Sequence, residues 1–193
     1  MPKQAAAQDA AVVSDDALVA ACASGQHAAL GALFDRYNIA IYRFLTRMLG
    51  GGHPDLDELV NETFLNVHRS AAKFRGHSSV KTWITAIAAN VARHHIRGET
   101  RRRAFLRVFQ IQRREDRVDT TRNNEHRDLV RRLGRLVAAL PPDLRVAFVM
   151  CDLEEIAGAD AARALSIPEG TLWRRLHEAR KSLRTSLGEE GHA

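Results

Sequence analysis

No apolar run in this sequence approaches the roughly 20 residues a membrane-spanning helix requires, so no such helix is expected. Cysteine is scarce. Cys22 and Cys151 are distant and unclustered, which argues against a disulfide framework or a thiolate metal site; both read as small apolar thiols in a reducing compartment. Sustained apolar–polar alternation is missing, and so is any internal repeat, which leaves helices as the expected secondary structure. The nine histidines form no HExxH and no Cys–His spacing. His94 and His95 are adjacent, so on a helix they point about 100° apart and do not share an ion. Surface or DNA-facing positions are expected for the histidines, with no metal and no cofactor. The opening MPKQAAAQDAAVVSDD has one lysine and no long apolar stretch. It does not read as a secretory leader; a disordered tail over 1–14 and a cytoplasmic location are expected.

Charge is plentiful and unevenly placed. The net charge is +6 and the pI about 10.0, which favours a polyanionic partner. Almost half of the 29 Lys and Arg fall within 91–135, whereas 48–68 holds neither and carries Asp55, Asp57, Glu58 and Glu62. Two surfaces of opposite sign predict two different partners.

The apolar spacing predicts a short helix over 15–23 with Ser14 or Asp15 as its cap. A long helix follows, with Leu30, Leu33, Phe34, Tyr37, Ile41, Phe44, Leu45 and Met48 on one stripe, stopped by Gly50-Gly51-Gly52. Asp55, with Glu58 three residues on, resembles a capping box, and Leu56, Leu59, Val60, Phe64, Val67 and Ala71 form the buried face of the next helix. Residues 73–79 read as a loop. A further helix is predicted from Val80 to Arg97, with Gly98 as terminator. The arginine-rich stretch 99–127 reads as an exposed linker, partly helical near Phe105–Ile111. Beyond it, Leu129, Val130, Leu133, Leu136, Val137 and Leu140 line a helix ended by Pro141-Pro142. Leu144, Phe148 and Cys151 mark another, and 160–165 a short third. Ser166-Ile167-Pro168 reads as a turn with Pro168 in the first turn of a last helix, which buries Leu172, Leu176, Ala179 and Leu183.

Three constellations carry function. A short helix, a tight turn and a longer basic helix at the C-terminal end match helix-turn-helix spacing. Glu169, Thr171, Trp173, Arg174, Arg175, His177, Glu178, Arg180, Lys181 and Arg184 point outward there, and arginines so placed read guanine edges or hold phosphates. In the loop Phe74-Arg75-Gly76-His77-Ser78-Ser79, an aromatic beside basic and small polar groups suits unstacked bases; helical position places Trp83 in the core rather than against a base. The acidic segment Asp57–Leu65 has paired carboxylates but no partnering histidine or glycine-rich phosphate loop, so a basic protein partner is favoured over acid–base or metal chemistry.

These pieces, in this order, resemble the extracytoplasmic-function class of bacterial sigma factors, over about 15–98 and 128–187. Asp57-Glu58-Leu59-Val60-Asn61-Glu62-Thr63-Phe64-Leu65 is similar to that family's D-x-E-D-L-V-Q-E-T-F-L segment, with Asn61 where glutamine is usual. Phe74 to Ile84 resembles F-x-G-x-S-x-F-x-T-W-L, and Ile87-Ala88-Ala89-Asn90 resembles I-A-R-N. Leu140-Pro141 resembles the family's L-P, and Ile167-Pro168-Glu169-Gly170-Thr171-Leu172 through Arg180 is similar to I-P-x-G-T-V-x-x-R-L-x-R-A-R. The stretch before the turn departs from the usual S-Y-E-E-I-A, placing Ala161 where a large aliphatic belongs. That resemblance implies an all-α chain of two small helical domains, a sigma-2 bundle (15–98) and a sigma-4 helix-turn-helix (128–187), joined by a basic flexible linker (99–127) and followed by a tail (188–193). It implies no enzymatic activity, core RNA polymerase and promoter DNA as partners, an anti-sigma factor, and neither a small-molecule substrate nor membrane insertion. Asp57, Glu58, Asn61, Glu62, Phe64 and Leu65 would meet the polymerase clamp helices, and the C-terminal domain would flank the flap tip. Phe74, Arg75, His77, Ser78, Ser79, Lys81, Asn90, Arg93, His94 and Arg97 would meet the minus-ten element. Glu169, Thr171, Trp173, Arg174, Arg175, His177, Arg180 and Lys181 would meet the minus-thirty-five element. The alternatives are a helix-turn-helix regulator that works without polymerase, a small helical hydrolase using Asp57, Glu58 and a histidine, and a protein-interaction scaffold without DNA affinity.

Overall fold

The computed structural model of the chain describes residues 13–108 and 125–190, the side chains at 106–131 and 189–190 excepted. All regular structure among these residues is helical. The N-terminal half holds α1 (Asp15–Ala23), α2 (His27–Leu49), α3 (Leu56–Ser70) and α4 (Val80–Val108), with a 3₁₀ turn at Ala71–Lys73 after α3. Ser14 caps α1 by accepting from Ala17 N at 3.3 Å, and Asp15 and Asp16 lie at its positive end. The predicted stripe of α2 faces inward: Leu33, Phe44, Leu45 and Met48 are shielded almost completely from water. Each such side chain contributes roughly 1.5–3 kcal/mol of transfer free energy. The glycine stop operates through conformation, since Gly50 and Gly52 hold φ of 93° and 77°, a region that side chains disfavour.

Asp55 does begin α3, but its side chain makes no capping bond and its backbone is not extended. It turns toward α4 instead. The expected end of α4 at Arg97 is not observed. The helix passes through Gly98 and runs to Val108, 29 residues in all, or about 44 Å. One glycine costs a helix interior only about 1 kcal/mol, and the good helix formers after it offset that. Of the linker expected over 99–127, residues 99–108 are thus helical, while 109–124 and the tail at 1–12 lie outside the described residues.

The C-terminal half holds α5 (Glu125–Ala139), α6 (Pro142–Phe148), α7 (Gly158–Ala164) and α8 (Glu169–Glu190). α6 starts on a proline and widens into a π-helical turn at Val149–Leu153. Ser166, with φ of 55°, makes the sharp turn between α7 and α8. Pro168 stands just before α8, its carbonyl accepting from Leu172 N at 3.2 Å. Leu172, Leu176, Ala179 and Leu183 are buried as the spacing predicts, and Ala161 is fully enclosed.

The two halves pack together through α2 and α4 on one side and α5, α6 and α7 on the other. Arg145 is the pin. Only 6% exposed, it donates to Met48 O at 2.6 Å at the end of α2 and to Leu140 O at 2.9 Å; a third bond reaches Ala138 O.

Candidate functional site

The acidic segment folds as an amphipathic helix with a clean division of faces. Leu56, Leu59, Val60, Thr63, Phe64 and Val67 point into the core, and Asp57, Glu58, Asn61, Glu62 and Leu65 point outward. Phe64 therefore corrects the partner-contact set proposed from sequence. It is 3% exposed and packs on Phe34 with ring centroids 4.8 Å apart. Its position four residues after Val60 keeps it on the inward stripe. Leu65, by contrast, is an exposed apolar group beside the carboxylates.

The loop before α4 is pinned at both ends. Phe74 is half-buried against Trp83, centroids 4.9 Å apart, so Trp83 serves as a floor for Phe74. Ser79 Oγ accepts from Thr82 N at 3.1 Å and lies 2.9 Å from Thr82 Oγ1, which makes it the cap of α4. Between these anchors Arg75, Gly76 and His77 are exposed and Ser78 partly so, with Gly76 at φ 69°. Lys81 and His94 are exposed on α4, and Asn90 is half-buried.

The C-terminal unit presents α8 as its exposed basic helix. Arg174, His177 and Lys181 are exposed and Thr171 is half-buried. Trp173 is 47% exposed; its indole donates to Glu169 Oε1 at 2.9 Å, and its ring lies so close to α7 that a Cβ at Gly158 would push it aside. Arg180 is held by Asp152 through bonds of 2.9 and 2.6 Å. Those bonds raise its pKa further, against a small opposing effect of burial.

Several side chains assigned to DNA from sequence are engaged by a carboxylate instead, two of them across the halves. Asp143, at the start of α6, accepts from Arg97 at 2.7 Å and from Arg93 at 3.4 Å, both on α4, and lies 3.7 Å from Arg175 on α8. Arg163 of α7 donates to the carbonyl of His77. Arg47 of α2 pairs with Glu154. Sequence reading missed Asp143, Asp152 and Arg145 as organising residues, because partners dozens of positions apart leave no local pattern. It also missed a polar cluster at the base of α3. His53, Asp55 and His95 come together there, whereas His94 points away. His53 and His95 are thus half-buried neighbours rather than surface groups.

Among the described residues no helix is long and apolar enough to cross a membrane. Two family profiles match the chain: Sigma-70 region 2 over residues 33–102, and Sigma-70, region 4 over residues 131–183. The ECF RNA polymerase sigma factor SigM of Mycobacterium tuberculosis is 30% identical over 177 residues, covering 91% of this chain and 85% of that protein. The ECF RNA polymerase sigma-E factor of Haemophilus influenzae is 28% identical over 183 residues, covering 91% and 96%. The fold is shared with CnrH, solved in complex with the cytosolic domain of CnrY (TM-score 0.62, 21% identity, 91% of this chain and 97% of that one). It is shared as well with the sigma factor RpoE of Bartonella quintana, solved with the anti-sigma factor NepR (TM-score 0.59, 20% identity, 80% and 94%). With both sigma regions matched in the order the motifs predicted, and with relatives alike over nearly their whole length, the chain belongs to the extracytoplasmic-function class of the sigma-70 family of RNA polymerase sigma factors.

Proposed function

We propose that this sigma factor docks on core RNA polymerase through the outward face of α3 and directs promoter recognition, melting and initiation without a catalytic group or cofactor of its own. Asp57, Glu58, Asn61, Glu62 and Leu65 meet the polymerase clamp helices. Phe74, Arg75, His77, Ser78, Ser79, Lys81, Asn90, Arg93, His94 and Arg97 meet the minus-ten element. Glu169, Thr171, Trp173, Arg174, Arg175, His177, Arg180 and Lys181 meet the minus-thirty-five element, with the flap tip alongside. The sigma-2 unit spans 15–98 and the sigma-4 unit 128–187. The protein works in the cytoplasm, and an anti-sigma factor restrains it.

The observation that carries this reading is the segregation of charge. Exposed carboxylates lie on α3 and exposed cations on α8 and the loop before α4, so one surface suits a cationic protein and the others suit phosphates. Opening the duplex requires a few kcal/mol per extruded base, which the Phe74–Ser79 loop offsets by stacking and polar contacts. Two modest modules joined in one chain bind as one tight unit, because the second contact becomes intramolecular. Arg93, Arg97 and Arg175 are engaged by Asp143 in the packed arrangement. Promoter binding therefore accompanies separation of the halves, which polymerase docking drives.

The test is reconstitution with core polymerase. The wild type is expected to co-elute with it and to start transcripts from a promoter library. Charge reversal at Asp57, Glu58 and Glu62 removes both properties and leaves the fold intact. A chain that ignores polymerase yet retains full DNA-dependent regulation would reject this reading in favour of a polymerase-independent helix-turn-helix regulator.

A further inference from the structure

We propose that His53, Asp55 and His95 form a binding site for a divalent transition-metal cation of the zinc class, with Glu99 within reach as a fourth ligand. Three elements build it. The glycine turn after α2 returns the chain so that His53 faces α4. Asp55 stands at the start of α3, its carboxylate unused in capping. His95 and Glu99 lie one turn apart on α4.

The distances suit a metal better than they suit hydrogen bonds. His95 Nε2 lies 3.5 Å from Asp55 Oδ2 and 3.9 Å from Glu99 Oε2, and His53 Nε2 lies 3.7 Å from Glu99 Oε2. One ligand atom from each of His53, Asp55 and His95 falls within 4.8 Å of the others. Ligand bonds of 2.0–2.1 Å in a tetrahedral zinc shell place neighbouring ligand atoms about 3.3 Å apart. The cluster is therefore looser than such a shell and would close in around an ion, whereas strong hydrogen bonds call for about 2.7–3.2 Å.

His95 supplies an independent observation. Its Nε2 is sealed from solvent and makes no hydrogen bond, a costly condition for a buried polar atom that coordination would relieve. The rings of His53 and His95 stand edge-on, centroids 5.2 Å apart. An open cleft of about 240 Å3 bordered by Asp55, His95, Gly98, Glu99 and Arg102 gives a route in, with the Arg102 guanidinium opposing cation entry from its side.

Two imidazoles with one or two carboxylates favour zinc-like ions over calcium or magnesium, which prefer all-oxygen shells. Arg103 lies 3.6 Å from Glu99 Oε2 and competes for it, so the three ligands from positions 53, 55 and 95 dominate. His53 Nδ1 accepts from Asp55 N at 3.3 Å. Coordination through Nε2 moves the ring proton to Nδ1 and gives up that long bond. A bound cation would fasten the glycine turn and the first turn of α3 to α4, stiffening the base of the acidic face.

The experiment uses the full chain stripped with chelator and titrated with cobalt(II), then with zinc against a chromogenic chelator. One equivalent of cobalt is expected, with a four-coordinate visible spectrum and no thiolate charge-transfer band. His95→Gln and, separately, His53→Gln in the exposed turn should each weaken binding at least about tenfold, with circular dichroism verifying the fold. His68→Gln is the control, because His68 touches Cys22 and His27 elsewhere. Zinc should raise the melting temperature of the wild type but not of the two site variants. Equal cobalt uptake by the wild type and a His53→Gln/His95→Gln double variant, a thiolate band, or no uptake at micromolar cobalt would each overturn the proposal.

Discussion

Arg145 illustrates how one side chain is made to serve two halves of a molecule. Its guanidinium is enclosed, and burial pushes its pKa down to about 10, yet it stays charged at neutral pH. Three backbone carbonyls from two helix ends share its protons. Arg145→Met keeps the apolar stem but leaves those carbonyls unanswered. A loss of about 2–4 kcal/mol is expected in denaturant unfolding, together with a broader transition as the halves uncouple. Asp15 offers a pH-dependent case. Burial by itself raises its carboxyl, but hydrogen bonds from Tyr37 and Arg36 outweigh that and hold it below the ordinary 3.8. A lowered carboxyl stabilises the fold above its ordinary range, and that stabilisation fades as pH falls below 3.8 through the folded value. Tyr37→Phe removes one of the two donors with little change of shape. The stability gap between wild type and variant should be full near neutrality and close below pH 3.8, as thermal melts across pH would show.

At the scale of the element, α4 is the informative case. Gly98 sits in its interior, and a Cβ there would meet nothing within 4 Å. Gly98→Ala should therefore stabilise the chain by about 0.5–1 kcal/mol, read by chemical denaturation; a neutral or destabilising result would mean the helix is broken there in solution. A lone glycine looks like a terminator when only sequence is available, and the deciding factor, ten further residues of which seven are good helix formers, is a weak sum over a window. The stripes of α2, α3 and α8 were legible because burial repeats at the helical period, from Leu33 through Met48 and from Leu172 through Leu183. The same stripe already placed Phe64 inside, and a partner role for it asked one side chain to face two ways. The candidate interfaces were legible as surfaces of charge. What the sequence hid was contact between residues far apart along the chain. Asp143 meets arginines 50, 46 and 32 positions away only after the helices have packed, and His53 finds His95 by the same route.

For the whole molecule, the decisive property is that its halves hold each other by ion pairs and one buried guanidinium. Exposed or half-exposed pairs are individually weak and screened by salt. The packed form should therefore loosen with ionic strength, as an increase in radius of gyration by small-angle scattering. Asp143→Ala should loosen it further at low salt. The same variant should bind nonspecific DNA more tightly and with a steeper salt dependence, since each arginine freed to meet a phosphate adds about one released counterion. An unchanged radius together with unchanged salt dependence would show that Asp143 does not restrain these arginines.

Because one carboxylate is shared by arginines from α4 and α8, it behaves as an arbiter between two readers. A phosphate that claims Arg175 leaves Asp143 to Arg93 and Arg97, and a phosphate that claims those two leaves it to Arg175. Linkage makes such coupling reciprocal: whatever factor one engagement imposes on the other is returned unchanged. The two elements would thus compete for release of their arginines, and a promoter with one poor element would lose less overall than the sum of its two contacts taken separately.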